Sequence, residues 1–216
     1  MSHKSVRDFI ETNLSEKEVQ NSNILEVGSY DFNGEIRSIV LKNQPKTFIG
    51  IDMLNGPGVD QICDVVNINK TFGKDVFDIV ISAETFEHVK GWRQGINNIK
   101  RCLKSGGILL LTTRSICMDY HGYPNDYWRY QEEDIEDIFN DFEIVNIERD
   151  KTLPGVFVKC RKPVNYIEKD LNHIKLYSML TRYRISDIKT WHYIYFIANT
   201  ILRRFKRLVS KKLIPK

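Results

Sequence analysis

Short apolar segments that alternate with amphipathic segments constrain the fold of this 216-residue chain more than any other feature. The apolar runs are too short for core helices and are bounded by glycine or polar residues, which favours strands. The predicted strands are NILEVG at 23–28, TFIGID at 47–52, FDIVIS at 77–82, GILLLTT at 107–113, FEIVNI at 142–147 and GVFVKC at 155–160. Apolar residues at helical spacing predict helices at 5–14, 34–42, 91–103 and 132–139.

Strands that alternate with helices predict a parallel sheet that is covered on both faces. The last two strands are joined by only ERDKTLP. A parallel crossover needs about a dozen residues or more, so these strands must be antiparallel neighbours or remain unpaired. The predicted fold class is therefore α/β, with a doubly wound, mostly parallel sheet, a terminal antiparallel strand and a C-terminal helical extension.

Composition and charge exclude several classes of protein. The chain is 42% hydrophobic and 28% charged, which is typical of a globular protein and excludes a disordered one. Its four cysteines have no CxxC spacing, and three lie in or beside apolar segments, which predicts buried, reduced thiols. No secretory signal or membrane span is predicted. The net charge of +4 belongs to the last fourteen residues, which hold seven Lys/Arg and no acid, so no nucleic-acid partner is expected.

Residues at the predicted strand ends indicate a nucleoside site, because ligands of doubly wound sheets bind at the carboxyl ends of the strands. Gly28 permits a tight turn, and Asn33 and Gly34 precede a helix whose N-terminal amides can hold an anion. Asp52, 24 residues after Gly28, is placed to accept hydrogen bonds from ribose hydroxyls. The pyrophosphate-binding pattern GxGxxG is incomplete, so a dinucleotide site is not indicated.

Residues 20–160 resemble class I S-adenosyl-L-methionine-dependent methyltransferases of the small-molecule, type 11-like group. ILEVGSYDFNG at 24–34 resembles the first motif, although Tyr30 and Phe32 stand where small residues are usual. FDIVISAETFEHV at 77–89 and LKSGGILLLTT at 103–113 resemble the fourth-strand and fifth-strand motifs. The resemblance implies a seven-stranded Rossmann-like sheet and S-adenosyl-L-methionine as the cofactor. The implied cofactor-binding residues are Glu26, Gly28, Ser29, Asn33, Gly34, Asp52, Met53, Asp64, Val65 and Ala83.

The segment at 117–130, CMDYHGYPNDYWRY, which we call the aromatic segment, follows the fifth-strand motif. Aromatic faces combined with carboxylates are typical of sites for polyhydroxylated rings, and the segment resembles bacterial methyltransferases of surface-polysaccharide pathways. The predicted acceptor-binding residues are Asp119, Tyr123, Asp126, Tyr127 and Arg129. The alternative is a lid whose aromatic rings pack on the domain and whose Asp/Arg pair is structural.

Methyl transfer to a hydroxyl needs a base, and the candidates are His88 and His121, since histidine titrates near neutral pH. Alternatively, His88 only shapes the pocket. The ExxEH pattern of Glu84, Glu87 and His88 also resembles the divalent-metal residues of ubiquinone-pathway and small-RNA 2′-O-methyltransferases, and His121 could complete such a set. The same pattern is common in members without a metal, so we predict no metal ligand.

Residues 163–216 form a predicted basic, amphipathic extension after a methyltransferase domain at 1–162. A single helical seam is predicted by Ile188, Trp191, Tyr195, Ala198, Leu202, Phe205 and Val209. The basic cluster after it favours a helix on an anionic membrane surface, and the alternative is packing on the domain or on a second subunit. The expected location is the cytoplasm, with or without peripheral contact at the inner membrane face.

Together these features predict an enzyme that O-methylates a sugar, a lipid-linked sugar or another small polar acceptor. A non-catalytic binding or scaffold protein on the same fold, held at a membrane by its C-terminal helix, is the alternative from a different class. Nicotinamide-dependent hydride transfer is disfavoured by the incomplete GxGxxG pattern.

Overall fold

A computed structural model describes residues 3–30, 35–122 and 125–212, without the side chains of 35 and 203–212. The predicted site residues Asn33, Gly34 and Tyr123 lie outside the described residues. The helices are α1 Lys4–Asn13, α2 Glu16–Val19, α3 Glu35–Leu41, α4 Ile68–Thr71, α5 Trp92–Cys102, α6 Glu132–Ile138 and α7 Thr190–Lys212. The strands are β1 Asn23–Val27, β2 Thr47–Asp52, β3 Gln61–Ile62, β4 Phe77–Ala83, β5 Leu103–Arg114, β6 Trp128–Arg129, β7 Glu143–Arg149, β8 Gly155–Arg161, β9 Leu176–Ser178 and β10 Arg184–Ile185.

Seven of these strands form one sheet in the order β3-β2-β1-β4-β5-β8-β7. Strands β1 to β5 pair in parallel with one another, whereas β8 runs antiparallel to both β5 and β7. The predicted fold class is therefore confirmed, including the antiparallel pairing at the end of the sheet. The short connection before β8 explains this pairing, because it cannot carry the chain back across the sheet.

Side chains of the central strand β4 alternate between two apolar layers, as the two-residue period of a strand requires. Ile79 and Ile81 lie in the layer that contains Phe9 of α1. Val80 lies in the opposite layer, with Trp92 of α5. Because both faces are covered, the strand is buried on both sides and its sequence reads as a continuous apolar run.

A second, three-stranded sheet in the order β10-β9-β6 is not predicted from the sequence. It pairs the aromatic segment with the first part of the predicted extension, and Leu176 and Leu180 of that extension join the main core. Arg93 of α5 donates hydrogen bonds to the carbonyl oxygens of Leu171, at 2.9 Å, and Ser186, at 2.7 Å. The division into units 1–162 and 163–216 stays a prediction, since a shared core does not measure independent folding.

Helix α7 packs on the domain with one face and leaves the described part of its predicted apolar seam, from Trp191 to Leu202, exposed. The Phe196 ring lies 5.1 Å from that of Tyr120, and the hydroxyl of Tyr193 lies 3.3 Å from that of Tyr127. Trp191, Tyr195 and Leu202 of the seam are each about half exposed. Among the described helices, none is long and apolar enough to cross a bilayer.

The four cysteines differ in accessibility in the way that the sequence predicts. Cys63, Cys102 and Cys160 are buried, and Cys117 is exposed. Burial also raises the pKa of the Cys102 thiol to about 12. We expect one thiol per native chain to react rapidly with a maleimide at pH 7.5, and Cys117→Ser to abolish this reaction, because a thiolate must form and be reached. Mass spectrometry of the labelled protein measures it, and rapid labelling of a second native cysteine would contradict it.

Candidate functional site

Strands β1, β2, β4 and β5 end at one edge of the sheet, because they are mutually parallel. Immediately after β1, Gly28 adopts a φ of +78° and donates a backbone hydrogen bond to Ile51 at 2.9 Å. A Cβ atom at Gly28 would lie 2.0 Å from Oγ1 of Thr85, so only glycine fits this bend. Ser29 follows, buried, and its hydroxyl has no hydrogen-bond partner among the described residues.

Asp52 faces the bend after β1, as the prediction of a nucleoside site requires. Its carboxylate accepts a hydrogen bond from the backbone N–H of Tyr30 at 3.4 Å and another from that of Leu54 at 3.0 Å. The other predicted cofactor residues at this edge differ in exposure, since Glu26 is buried and Met53 is largely exposed. The structure thus brings Asp52 and the bend together.

Tyr30, the unusual residue of the first motif, lies against the loop that follows β2. A Cβ atom at Gly56 would lie 2.1 Å from the Tyr30 ring, so the glycine makes room for this aromatic side chain. The same loop is anchored by Asp60, which accepts a hydrogen bond from the backbone N–H of Gly50 at 2.7 Å and pairs with Arg37. The tyrosine is therefore accommodated by a glycine on the facing loop.

Asp64 has a local structural role in addition to the one predicted for it. Its carboxylate caps the short 3₁₀ helix Val65–Asn67 by accepting a hydrogen bond from the backbone N–H of Val66 at 3.0 Å. Val65 is buried in the core beside it, whereas Asp64 is half-buried. The contact of Asp64 and Val65 with an adenine stays a prediction, as does the cofactor contact of half-buried Ala83 at the end of β4.

Glu84, directly after β4, has an unusual backbone and a buried ionic environment. Its φ is +53°, and strained residues of this kind cluster at functional sites. The carboxylate pairs with Arg114 at the end of β5, and Arg114 pairs with Asp150 at 3.0 Å; the side chains of Arg114 and Asp150 are fully buried. Burial raises the pKa of Glu84 to about 8, and the charge of Glu87 adds to this shift while Arg114 opposes it.

Arg114 and Asp150 are not among the site residues predicted from the sequence. The position of Arg114 could have revealed it, because Arg114 is the one charged residue in GILLLTTR at 107–114 and stands at the end of this apolar run. A charge that ends a buried strand needs a partner, but the sequence does not reveal that Asp150 provides one.

Glu87, His88 and His121, which we call the His–Glu cluster, offer one ligand atom each, all within 4.8 Å of one another. Glu87 is fully buried, and its Oε2 accepts a hydrogen bond from Thr113 at 2.9 Å. The two imidazole rings lie 5.0 Å apart. A hydrogen bond to Asp126 raises the pKa of His121. The structure thus brings the two predicted catalytic histidines together.

The second half of the aromatic segment is anchored in the protein. The side chains of Asp126 and Arg129 are fully buried and form a bidentate ion pair, with contacts of 2.5 and 2.8 Å. Trp128 donates a hydrogen bond to the carbonyl oxygen of Val89 at 3.1 Å, and the Tyr127 ring is also buried. Burial alone would raise the pKa of Asp126, but hydrogen bonds from Arg129 and His121 lower it to about 2.

This geometry favours the lid alternative for residues 126–130. Arg129 also donates hydrogen bonds to the carbonyl oxygens of Met118 at 3.2 Å and Asp119 at 2.9 Å, and so fixes the first half of the segment. Asp119 itself is exposed. Acceptor binding by Asp119, Asp126, Tyr127 and Arg129 stays a prediction, but the burial of the last three suits a positioning role.

Comparison with known proteins assigns the family. A sequence profile described as a methyltransferase domain matches residues 2–153, which is more than half of the chain. The chain belongs to this methyltransferase family. No curated protein matches the chain significantly.

Solved structures with this fold include several methyltransferases. The Burkholderia thailandensis 1,6-didemethyltoxoflavin-N1-methyltransferase, crystallised with S-adenosylhomocysteine, is 13% identical, with a TM-score of 0.57 over 74% of this chain and 77% of its own. An S-adenosylmethionine-dependent methyltransferase from Mesorhizobium loti is 13% identical, with a TM-score of 0.58 over 73% and 98%. The [4+2]-cyclase SpnF is 15% identical, with a TM-score of 0.59 over 74% and 80%. At these identities, the likenesses show the fold.

As a member of this family, the chain is an enzyme, and its cofactor is S-adenosyl-L-methionine. The residues of the edge suit this cofactor, which carries no phosphate. The edge offers the bend at Gly28, a buried Ser29 hydroxyl without a hydrogen-bond partner among the described residues, and the Asp52 carboxylate. Contact of these groups with the cofactor stays a prediction.

Proposed function

We propose that this enzyme transfers the methyl group of S-adenosyl-L-methionine to a hydroxyl of a sugar or of another small polar acceptor. The observation that carries this proposal is the His–Glu cluster, which follows β4 beside the edge that holds Gly28 and Asp52. A hydroxyl must lose its proton during methyl transfer, and such a reaction needs a proton-accepting or hydroxyl-activating group at this place. The cluster supplies both imidazole and carboxylate groups.

The cofactor would be held by the carboxyl ends of β1 and β2. Gly28 and Ser29 would face its amino-acid portion, Asp52 its ribose hydroxyls and Asp64 its adenine amino group. Glu26, buried beside the bend, would orient the loop or meet the ammonium group. When bound, S-adenosyl-L-methionine supplies a methyl group on a positively charged sulfur, which leaves as a neutral thioether when the acceptor oxygen bonds to the methyl carbon.

The protein's main contribution to the reaction is alignment of the acceptor oxygen with the methyl carbon and sulfur. Alignment of this kind can supply up to about 7–11 kcal/mol of a reaction barrier. The proton of the acceptor hydroxyl would pass to the Nε2 atom of His88 or His121. The buried Asp126–Arg129 pair positions His121, because Asp126 accepts a hydrogen bond from its backbone N–H at 2.7 Å.

The acceptor would enter at the exposed first half of the aromatic segment. Asp119 is exposed there, Tyr120 is half-buried, and His121 lies next in the chain. A carboxylate beside aromatic faces suits a polyhydroxylated ring, because the acid fixes its hydroxyls and the rings cover its apolar face. Radiolabelled methyl transfer to a panel of sugars, nucleotide sugars and lipid-linked sugars tests this class, and transfer only to nitrogen or carbon acceptors would contradict it.

We expect Asp52→Asn to weaken the binding of S-adenosylhomocysteine by about 10- to 150-fold, because a hydrogen bond to a charged group contributes about 1.5–3 kcal/mol. Asparagine retains the shape of the side chain and can still accept the hydrogen bond from Leu54. Isothermal titration calorimetry measures the affinity. Asp137→Ala, an exposed carboxylate on α6, is the matched control and should leave it unchanged. Equal affinities of all three folded proteins would overturn the assignment of Asp52.

We also propose that α7 places the enzyme on an anionic membrane surface, where a lipid-linked acceptor would lie. Trp191, Ile194, Tyr195, Ile201 and Leu202 lie on one face of α7, at the periodicity of an α-helix, and are about half exposed or more. The last fourteen residues of the chain carry seven Lys/Arg and no acid. An exposed apolar face continued by positive charge suits a bilayer with acidic headgroups.

Flotation with vesicles of phosphatidylglycerol and phosphatidylcholine tests this membrane contact. We expect the full chain to float with the vesicles, and the double variant Ile194→Glu/Ile201→Glu to stay in the bottom fraction of the gradient. Ile167→Glu is the control, because Ile167 is 80% exposed but lies outside α7. Failure of the native chain to float would overturn this contact. Dimerisation in analytical ultracentrifugation that Ile194→Glu/Ile201→Glu abolishes, without flotation of the native chain, would assign the exposed face of α7 to a second copy of the chain.

A further inference from the structure

We propose that Glu87, His88 and His121 bind one divalent transition-metal ion, at a site that the family profile does not assign and that the sequence pattern alone did not establish. The first observation concerns Glu87. Its side chain is fully buried, Thr113 holds one carboxylate oxygen, and the other, Oε1, has no hydrogen-bond partner among the described residues. Leaving a buried charged oxygen without a partner is costly. This oxygen lies 3.9 Å from Nε2 of His121, so a ligand between them would satisfy it.

The hydrogen bonds of the two imidazoles leave the same nitrogen available on each ring. Nδ1 of His88 lies 2.7 Å from the carbonyl oxygen of Asn125, and Nδ1 of His121 lies 3.2 Å from that of Asp119. A carbonyl oxygen can only accept, so each Nδ1 carries the hydrogen and each Nε2 has a free lone pair. Metal-binding histidines are oriented in this way, by a carbonyl or carboxylate partner on the opposite nitrogen.

The backbone also fixes the cluster in place. Gly122, next to His121, adopts a φ of +75°, and a Cβ atom there would lie 2.8 Å from Cε1 of His88. The glycine therefore lets the segment that carries His121 lie directly against the His88 ring. Three ligand atoms within 4.8 Å of one another need little movement to reach an ion at about 2.0–2.2 Å from each.

Glu87 differs from the other acids of the site in its charged neighbours. Glu84 pairs with Arg114, and Asp126 pairs with Arg129. Within the described part of the chain, Glu87 has no lysine or arginine at ion-pair distance, and a cation in the cluster would compensate its charge. The ExxEH pattern alone did not justify a metal ligand. The structure pairs Glu84 of that pattern with Arg114 and places His121, the residue that could complete the set, beside Glu87 and His88.

Two imidazoles and one carboxylate suit a first-row ion such as Mn²⁺, Fe²⁺, Co²⁺ or Zn²⁺, and they leave coordination positions open. The role of the ion rests on the proposed function, because an acceptor hydroxyl bound at an open position would have a lowered pKa. With both Nε2 atoms on the ion, the hydroxyl proton would pass to solvent and not to a histidine.

Titration of the chelator-treated full chain with Co²⁺, followed by visible absorption, tests the site. We expect one equivalent per chain to give ligand-field bands. Glu87→Gln and His121→Ala should each weaken the binding of Co²⁺ by about 10–100-fold or more. That range is the usual cost of losing a residue that only hydrogen-bonds to a metal ligand. His173→Ala is the matched control, because His173 is an exposed histidine beside a carboxylate. Failure of the folded chain to bind Co²⁺, or equal binding by all variants, would overturn the metal site.

Calorimetry with S-adenosylhomocysteine on the same metal-free samples separates this inference from the proposed function. Normal binding of S-adenosylhomocysteine without any binding of Co²⁺ would sink the metal site alone and leave His88 and His121 as candidate bases. Binding of Co²⁺ without binding of S-adenosylhomocysteine would sink the assigned cofactor site and leave the metal site standing.

Discussion

Replacing Arg114 with methionine is expected to lower the free energy of unfolding by about 3–5 kcal/mol, the cost of breaking a buried ion pair from one side. The guanidinium lies between the carboxylates of Glu84 and Asp150, and no part of its side chain is exposed. Methionine fills much of the same volume, so the loss would come mainly from Asp150, a buried carboxylate that no longer faces a cation, because burial already raises the pKa of Glu84 to about 8. Urea unfolding followed by circular dichroism measures the difference.

Arg149→Met is the matched control for this loss. Arg149 is 76% exposed and pairs with Glu132 at 2.9 Å, and exposed pairs contribute about 1 kcal/mol or less. Adding Asp150→Asn to Arg114→Met should recover part of the stability, because it removes the buried negative charge that the arginine had compensated. Equal losses for Arg114→Met and Arg149→Met would show that the buried network does not stabilise the fold as described.

Gly28→Ala is expected to disable the enzyme even where the chain still folds. Alanine would be strained at a φ of +78°, and its methyl group would lie 2.0 Å from Oγ1 of Thr85. That hydroxyl donates to the carbonyl oxygen of Ala83 at 3.0 Å and lies within reach of that of Val27, so it cannot move without loss. The bend would shift, and a misplacement of about 1 Å costs roughly 100-fold in rate. Methyl transfer and S-adenosylhomocysteine affinity should both fall.

Gly106→Ala separates backbone strain from the effect on the site. Gly106 has almost the same φ, +77°, but nothing lies within 4 Å of the position of a Cβ atom, and it precedes the apolar part of β5 at the opposite end of the sheet. We expect a stability loss of about 1–2 kcal/mol from the left-handed conformation and unchanged S-adenosylhomocysteine affinity. Thr85→Ala should partly rescue Gly28→Ala. Equal effects of the two glycine substitutions on affinity would contradict the assigned bend.

The elements of the main sheet could be predicted because their signals are local. In β4, the apolar run of FDIVIS indicates a strand buried on both faces, and the short connection after β7 excludes parallel pairing of β7 with β8. Gly28 and Asp52 could be predicted for the same reason, since each follows a recognisable strand and parallel strands end at a common edge. Strands β6, of two residues, and β9, of three, are too short to carry a periodic signal.

The sequence by itself determined the main strands and helices around the seven-stranded sheet and the family, and it predicts that the cofactor binds at the edge that holds Gly28 and Asp52. Only the tertiary structure decided that His121 meets Glu87, that Asp150 compensates Arg114, that Asp126 and Arg129 are buried together, and that α7 turns its seam outward. Strand and helix patterns arise from neighbours along the chain, whereas these contacts join segments that are brought together by packing. Their cost or benefit depends on burial, which a residue's own position in the sequence does not specify.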